Sequence, residues 1–114
     1  MKIERFEDII AWKKAGALSS QIYCLFRDCK DWGFRDQIQR ASVSVMNNIA
    51  EGFERKTNND FKHFLFIAKG SSGEVRSMLY LAKKLGYIEN DIFKSLHSDC
   101  LEISKIISGL IKTL

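Results

Sequence analysis

The sequence contains no proline and only seven glycines in 114 residues. Proline and glycine are the residues that most often interrupt a helix, so their scarcity favours long, continuous helices. Apolar residues make up 46% of the chain and are spaced at intervals instead of forming blocks. A chain of this length and composition can bury one core without a disulfide or a metal. We therefore expect a single all-α domain spanning residues 1–114.

Long hydrophobic runs are absent as well, since no stretch of about 18 consecutive apolar residues occurs. The first eight residues carry acids where a secretory signal would need its apolar segment. Without an export signal, an odd number of cysteines favours free thiols over disulfides. The three cysteines are Cys24, Cys29 and Cys100. These features predict a cytoplasmic protein with no membrane contact.

Residue patterns typical of catalytic sites are missing. A di-metal site in a helical bundle needs Glu-x-x-His motifs on two helices, and the sequence has none. The run Gly70–Gly73 lacks the lysine and the preceding strand of a phosphate loop. His97 and Cys100 could share a helix face, but two ligands do not make a zinc site. The sequence predicts no catalytic residue, no metal site and no cofactor, and hence a non-enzymatic protein.

In four segments the apolar residues recur at steps of three and four, which is the spacing of one face of an α-helix. The predicted helices cover approximately residues 8–29, 34–54, 60–85 and 90–112. Because only short connections separate them, successive helices must pack as antiparallel neighbours. This predicts an antiparallel up-and-down four-helix bundle.

Glycines and polar residues mark the predicted helix boundaries. Gly33 is expected to close the first connection, and Gly86 to cap the third helix, because glycine readily adopts left-handed backbone angles. Thr57 is a candidate N-cap for the third helix. The run Gly70–Gly73 resembles a loop, yet the apolar spacing continues in phase on both sides of it. We expect this run to be helical and to let a neighbouring backbone approach closely; a break in the helix is the alternative.

A hairpin of the second and third helices centred near Thr57 fixes which residues face each other. This register places Arg40 opposite Glu74 and Ser42 opposite Ser72. A guanidinium can bind a carboxylate through two parallel hydrogen bonds, so an Arg40–Glu74 ion pair is predicted.

Polar residues of the second helix form a stripe beside its apolar face, at offsets of four, seven and eleven. They are Arg40, Ser44, Asn47 and Glu51. Such a stripe is either a hydrogen-bond network that fixes helix register or a ligand site between helices. Few carboxylates and no histidine on this face favour the structural interpretation.

Basic residues concentrate on the third helix. The formal charge is +4 and the isoelectric point is about 9.0, which suits an acidic partner without requiring one. Four cations follow each other at intervals of seven residues and therefore share one helix face. The candidate phosphate-binding residues are Arg55, Lys56, Lys62, Lys69, Arg76, Lys83 and Lys84. Such a face could follow a phosphate backbone, with each contact making binding more salt-sensitive; the alternative is a solvated face without a ligand.

The run QIQRASVSVMNNIAEG, from Gln37 to Gly52, resembles the signature of the four-helix bundle family of 23S rRNA-intervening sequence proteins, also called S23 ribosomal protein-like. Further agreement comes from FED and WKKA near the start, FLFIAKGS in the third helix, and LGYI before the fourth. Gln39 departs from the family, which often has a basic residue there. The resemblance implies no catalytic residues. It implies a structural role for the motif positions Arg40, Asn47, Glu51, Gly52, Ser71 and Glu74.

The same resemblance implies a ring-like homopentamer, as relatives form, including the accessory protein of diversity-generating retroelements, a basic pentamer that binds nucleic acid. Apolar residues off the core face of the fourth helix favour an oligomer independently. These are Ile92, Leu101, Ile106 and Ile111. The expected function is a non-enzymatic oligomeric bundle that binds RNA or DNA through its basic face. A scaffold or accessory factor for a partner protein is the alternative, and a small-molecule site along the polar stripe is a third hypothesis.

Overall fold

The computed structural model describes residues 2–114 and contains four α-helices, with no strand among those residues. The helices are α1 (Ile10–Leu25), α2 (Trp32–Phe53), α3 (Asn58–Lys84) and α4 (Asn90–Lys112), and a short 3-10 turn precedes them at Phe6–Asp8. Each helix packs against the next, and α1 also packs against α4. The prediction of an all-α chain with four helices is confirmed. This order of packing is the one expected of an up-and-down bundle.

The core runs along the bundle on the faces that the apolar spacing predicts. Each helix contributes side chains that are essentially inaccessible to water. Examples are Leu18 and Ile22 in α1, Ile38 and Val45 in α2, Leu65 and Leu79 in α3, and Cys100 and Ile103 in α4. Burying one such aliphatic side chain contributes about 1.5–3 kcal/mol, so this core is the main source of stability. Within residues 2–114, no helix has both the length and the apolar content needed to cross a bilayer.

Helix α2 begins earlier than predicted because Asp31 caps it. The carboxylate oxygen Oδ1 of Asp31 accepts a hydrogen bond from the backbone N–H of Phe34 at 3.2 Å. Trp32 and Gly33 therefore form the first turn of α2, and the prediction that Gly33 closes the connection was wrong. Helix α1 is shorter than the predicted 8–29, since Phe6–Asp8 forms a separate turn and α1 ends at Leu25.

The boundaries of α3 follow the prediction more closely. Thr57 caps its start by accepting a hydrogen bond from the backbone N–H of Asp60 at 3.1 Å. Gly86, just beyond its end, has a φ of 76°. The helix is continuous through Gly70–Gly73, as expected. The backbone of α4 does come close at Ser72, which contacts the carbonyl oxygen of Cys100 at 3.1 Å, but the two glycines are not needed for this, because a Cβ added at either would meet nothing within 4 Å.

Asp31 supports a prediction about the stability of the bundle. Its second oxygen, Oδ2, accepts a hydrogen bond of 2.7 Å from the hydroxyl of Tyr87, in the connection between α3 and α4. This bond raises the pKa of Tyr87, and burial acts in the same direction. Asp31→Ala removes both the helix cap and the hydrogen bond to Tyr87, and it is expected to lower the free energy of unfolding by about 1–2 kcal/mol, measured by urea denaturation. In the control Asp28→Ala, an exposed carboxylate three residues earlier, the change should stay below about 0.5 kcal/mol. Equal losses in the two variants would contradict the role of the cap.

The three thiols differ in accessibility: Cys24 is exposed, Cys29 is half-buried and Cys100 is buried. Burial raises the pKa of Cys100 to about 12, with Asp99 adding to the effect and Arg76 opposing it. Because the thiolate is the reactive form, iodoacetamide at neutral pH should modify Cys24 first and leave Cys100 intact until the protein is unfolded. Mass spectrometry of timed samples, with and without urea, measures this order. Equally fast labelling of Cys24 and Cys100 in native buffer would show that the thiol of Cys100 is accessible.

Candidate functional site

The four cations of α3 predicted to share a face lie beside α4. Tyr80, in the same part of α3, has its hydroxyl 3.0 Å from Nε2 of His97 in α4. The ammonium nitrogen of Lys83 lies 4.7 Å from the ring centroid of Phe93, also in α4. Lys69 and Lys83 are exposed, whereas Lys62 and Arg76 are half-buried. The α3 cations therefore form a row along the seam between α3 and α4.

A second row of cations lies on α4 and was missed by the sequence reasoning. Lys94, Lys105 and Lys112 are all exposed. They are separated by eleven and seven residues, which correspond to about three and two helical turns, so they share a face of α4. This spacing was visible in the sequence. Its significance depends on which side of α4 meets α3, and the sequence pattern did not settle that.

Hydrogen bonds across the seam fix the register of the two rows. Ser104 of α4 donates to Oγ of Ser72 at 3.1 Å, and Ser72 in turn donates to the carbonyl oxygen of Cys100 at 3.1 Å. Since α3 and α4 are antiparallel, this register places Lys69 nearly level with Lys105. Lys62 is likewise nearly level with Lys112. Cations of the two helices thus lie at the same level along the bundle axis, on either side of the seam.

We call this surface the basic face. It consists of Lys62, Lys69, Arg76, Lys83 and Lys84 of α3 together with Lys94, Lys105 and Lys112 of α4. The acidic side chains of α3 and α4 nearest to this face either contact α1 or α2 or lie at its border. Glu74 accepts a hydrogen bond from Gln37 of α2 at 3.4 Å, and Glu102 pairs with Lys14 of α1 at 2.9 Å. Asp91 lies in the first turn of α4, at the border of the face.

The charge of the chain is therefore strongly segregated. Eight of its 18 Lys and Arg residues form the basic face, with Asp91 at its border. The remainder of the chain carries ten cations and 14 acids and is net negative. Successive cations of a row are at least seven residues, or about 10 Å, apart, so their mutual repulsion is weak and is screened by salt. A bound polyanion would remove that repulsion.

The two predicted cations of the α2–α3 connection differ in position. A guanidinium nitrogen of Arg55 binds Oε2 of Glu51 at 2.9 Å, and the guanidinium stacks 4.8 Å from the ring centroid of Phe64. These contacts hold Arg55 on the α2 side of α3, away from the basic face. Lys56 lines a groove with Lys2 and the C-terminal residue Leu114. It lies near the end of the basic face that Lys62 and Lys112 occupy.

In the polar stripe of α2, Ser44 is half-buried and faces α3, and the other three residues lie on the outer surface of the bundle. Arg40 and Asn47 are exposed. Within residues 2–114, Arg40 forms no ion pair, so the predicted Arg40–Glu74 pair is wrong. The two residues line the same open groove, where water solvates both charges and an ion pair gains little. Glu51 pairs with Arg55 on the surface.

The predicted facing pair of Ser42 and Ser72 is also wrong, because the two serines turn to different neighbours. Ser42 lies 3.1 Å from Oγ of Ser19 in α1, whereas Ser72 contacts α4. The serines that do meet between α2 and α3 are Ser44 and Ser71, whose hydroxyl oxygens are 2.9 Å apart. Predicting the register to within one residue was not enough to predict which way each side chain points.

Gly52 has a clear structural function. It is buried at the end of α2, and a Cβ added there would lie 2.6 Å from Cβ of Phe64 and 3.3 Å from the carbonyl oxygen of Phe61. Among the glycines of α2 and α3, Gly52 is therefore the one at which a side chain would obstruct the packing of the two helices. Helix α3 can pack this tightly against α2 only because position 52 has no side chain.

The described residues show no group of three or more His, Cys, Asp and Glu side chains arranged to hold a metal. An open groove of about 520 Å³ follows the outer face of α2, along Arg40, Asn47 and Tyr23 of α1. A second, more apolar groove of about 410 Å³ lies between α1 and α4, lined by Cys24, Leu25 and Ile92. Neither groove contains cations of the basic face.

Comparison with known proteins agrees with the fold. The sequence profile of the family described as 23S rRNA-intervening sequence protein matches residues 7–109. A crystal structure of a protein of unknown function from the S23 ribosomal protein family of Bacteroides thetaiotaomicron superposes with a TM-score of 0.84 at 26% sequence identity, covering 90% of this chain and 99% of that one. A search of curated protein sequences finds no significant match.

Proposed function

The chain belongs to the 23S rRNA-intervening sequence protein family, and from its segregated charge we propose that it is a non-enzymatic, homo-oligomeric bundle that binds nucleic acid through the basic face. The observation that carries this proposal is the double row of cations on either side of the α3–α4 seam. Eight cations without an intervening carboxylate present a surface that attracts a polyanion. Binding of this kind is driven by the release of counterions from phosphates and does not require base-specific contacts.

Salt dependence provides the direct test. The purified chain is titrated with fluorescently labelled structured RNA and duplex DNA at about 50 and 200 mM salt. If six of the eight cations engage phosphates, the affinity should fall by about a thousandfold between these two concentrations. The absence of binding at the lower salt concentration would refute the proposal.

The homo-oligomer is supported by the exposed edge of α2 and α3. Arg40 and Glu74 lie there without pairing to each other, and apolar Ile67 and Leu81 are 39% and 45% exposed. A second copy packed on this edge would bury the apolar side chains and could supply counter-charges to both ionic groups. The family resemblance implies five copies. Light scattering should then give five times the 13.1 kDa mass of one chain, and a monomer at micromolar concentration would contradict this part of the proposal.

A protein scaffold is the second candidate function, and the apolar groove between α1 and α4 favours it. The groove is lined by Leu25, Ile92 and Leu96, and Ile92 is 38% exposed. The acidic residues Asp99 and Glu102 lie further along α4, beside α1, so this side of the bundle suits a protein better than a phosphate backbone. Binding to a partner through this groove should change little between about 50 and 200 mM salt, in contrast to binding through the basic face.

A further inference from the structure

Two exposed aromatic rings lie within the basic face, at equivalent positions of a repeated pattern. The pattern is a cation, an aromatic residue four positions later, and another cation three positions after that. It occurs as Lys62, Phe66, Lys69 and again as Arg76, Tyr80, Lys83. The two copies are fourteen residues apart, or about 21 Å along α3. Each ring therefore has a cation one helical turn before it and another one turn after it.

Both rings are open to solvent, with 55% of Phe66 and 53% of Tyr80 exposed. Tyr80 is held in position, because its hydroxyl contacts Nε2 of His97 at 3.0 Å and its ring packs edge-on against Phe93 with centroids 5.0 Å apart. A ring fixed in this way loses little conformational freedom when a ligand stacks on it. The exposed surface of Phe66 is apolar, and covering it with a stacked base would be favourable because it removes that surface from water.

The combination of rings and cations distinguishes between classes of nucleic acid. A duplex keeps the faces of its bases inside the stack, whereas a single strand can turn unpaired bases outward. Cations attract the phosphates of both, but only unpaired bases can stack on an exposed aromatic side chain. Aromatic rings placed between cations should therefore strengthen the binding of a single strand and leave the binding of a duplex unchanged.

We infer that the basic face binds single-stranded nucleic acid, with unpaired bases stacked on Phe66 and Tyr80 and the adjacent phosphates held by the flanking cations. This inference rests on the proposed function and adds to it the class of nucleic acid. Sequence preference is not expected, because every base has a face that can stack.

The test compares single-stranded oligo-dT and oligo-U of about 20 nucleotides with a DNA duplex of the same length, by fluorescence anisotropy at about 50 mM salt. Phe66→Ala and Tyr80→Ala should each weaken single-strand binding by about five- to a hundredfold. Duplex affinity and the salt dependence should stay as in the wild type. Tyr80→Phe loses the contact with His97 but keeps the ring and its packing against Phe93, so it should retain most of the single-strand affinity. Ile10→Ala is the matched control, since Ile10 is 59% exposed and lies at the start of α1, a helix that does not pack against α3.

The outcomes separate this inference from the proposed function. If neither single strand nor duplex binds at low salt, the proposed function fails and the inference fails with it. If both bind with a steep salt dependence and the two alanine variants match the wild type, only the stacking inference is overturned. Equal weakening of single-strand and duplex binding by the alanine variants would overturn it as well, since the rings would then not distinguish unpaired bases.

Discussion

Replacing Lys69 and Lys105 together by glutamate is expected to weaken nucleic-acid binding at low salt by at least about tenfold and to flatten its salt dependence. The two lysines are exposed and stand nearly level across the α3–α4 seam, so one phosphate backbone can pass both. Each lost phosphate contact should reduce the slope of log affinity against log salt by about 0.7 for a single strand, or 1.4 for the pair. The two introduced carboxylates add repulsion.

The control for this prediction keeps the net charge equal. Lys13 and Lys30 are exposed and lie on α1 and in the connection that follows it, away from the basic face. Changing both to glutamate lowers the formal charge as much as the first double substitution does. Binding should therefore be nearly unchanged if the basic face is the site. Equal loss in both double variants would show that net charge alone, without a defined surface, accounts for binding. Circular dichroism verifies that both variants remain helical.

The helices were largely predictable because the apolar spacing that indicates a helix is repeated many times along each one. Helix α4 begins and ends where the apolar spacing places it, and α3 continues through Gly70–Gly73 because the spacing stays in phase on both sides. Boundaries set by one side chain were less predictable. The carboxylate of Asp31 extends α2 backward over Gly33, although the glycine had indicated a turn.

The candidate site was predictable only in part, because it spans two helices. The row from Lys62 to Lys83 follows from spacing within α3 alone. The matching row on α4 becomes part of the same surface only through the register that Ser72 and Ser104 establish. The Arg40–Glu74 pair failed for a related reason. The register of a helical hairpin fixes the level of each residue along the axis. It does not fix the rotation of each helix about its own axis, so two residues at the same level can both point outward.

Substituting alanine for Gly52 is expected to destabilise the bundle by about 1–3 kcal/mol, the usual effect of forcing extra volume into a packed interface. The added Cβ would lie 2.6 Å from Cβ of Phe64. That atom is attached directly to the backbone, so no change of rotamer can move it. The carbonyl oxygen of Phe61 lies 3.3 Å from the same position. Helices α2 and α3 would have to separate locally, and the contacts around Gly52 would loosen.

Alanine ordinarily stabilises a helix relative to glycine. A decrease in the free energy of unfolding on Gly→Ala therefore indicates a packing clash, and an increase indicates helix propensity. At Gly109 in α4, an added Cβ would meet nothing within 4 Å, and Gly109→Ala should raise the free energy of unfolding by about 0.5–1 kcal/mol. Urea denaturation monitored by circular dichroism measures both variants under the same conditions. A stabilising effect of Gly52→Ala similar to that of Gly109→Ala would mean that α2 and α3 are not in close contact at this point. Opposite signs would show that the glycine of the family motif is required by helix packing.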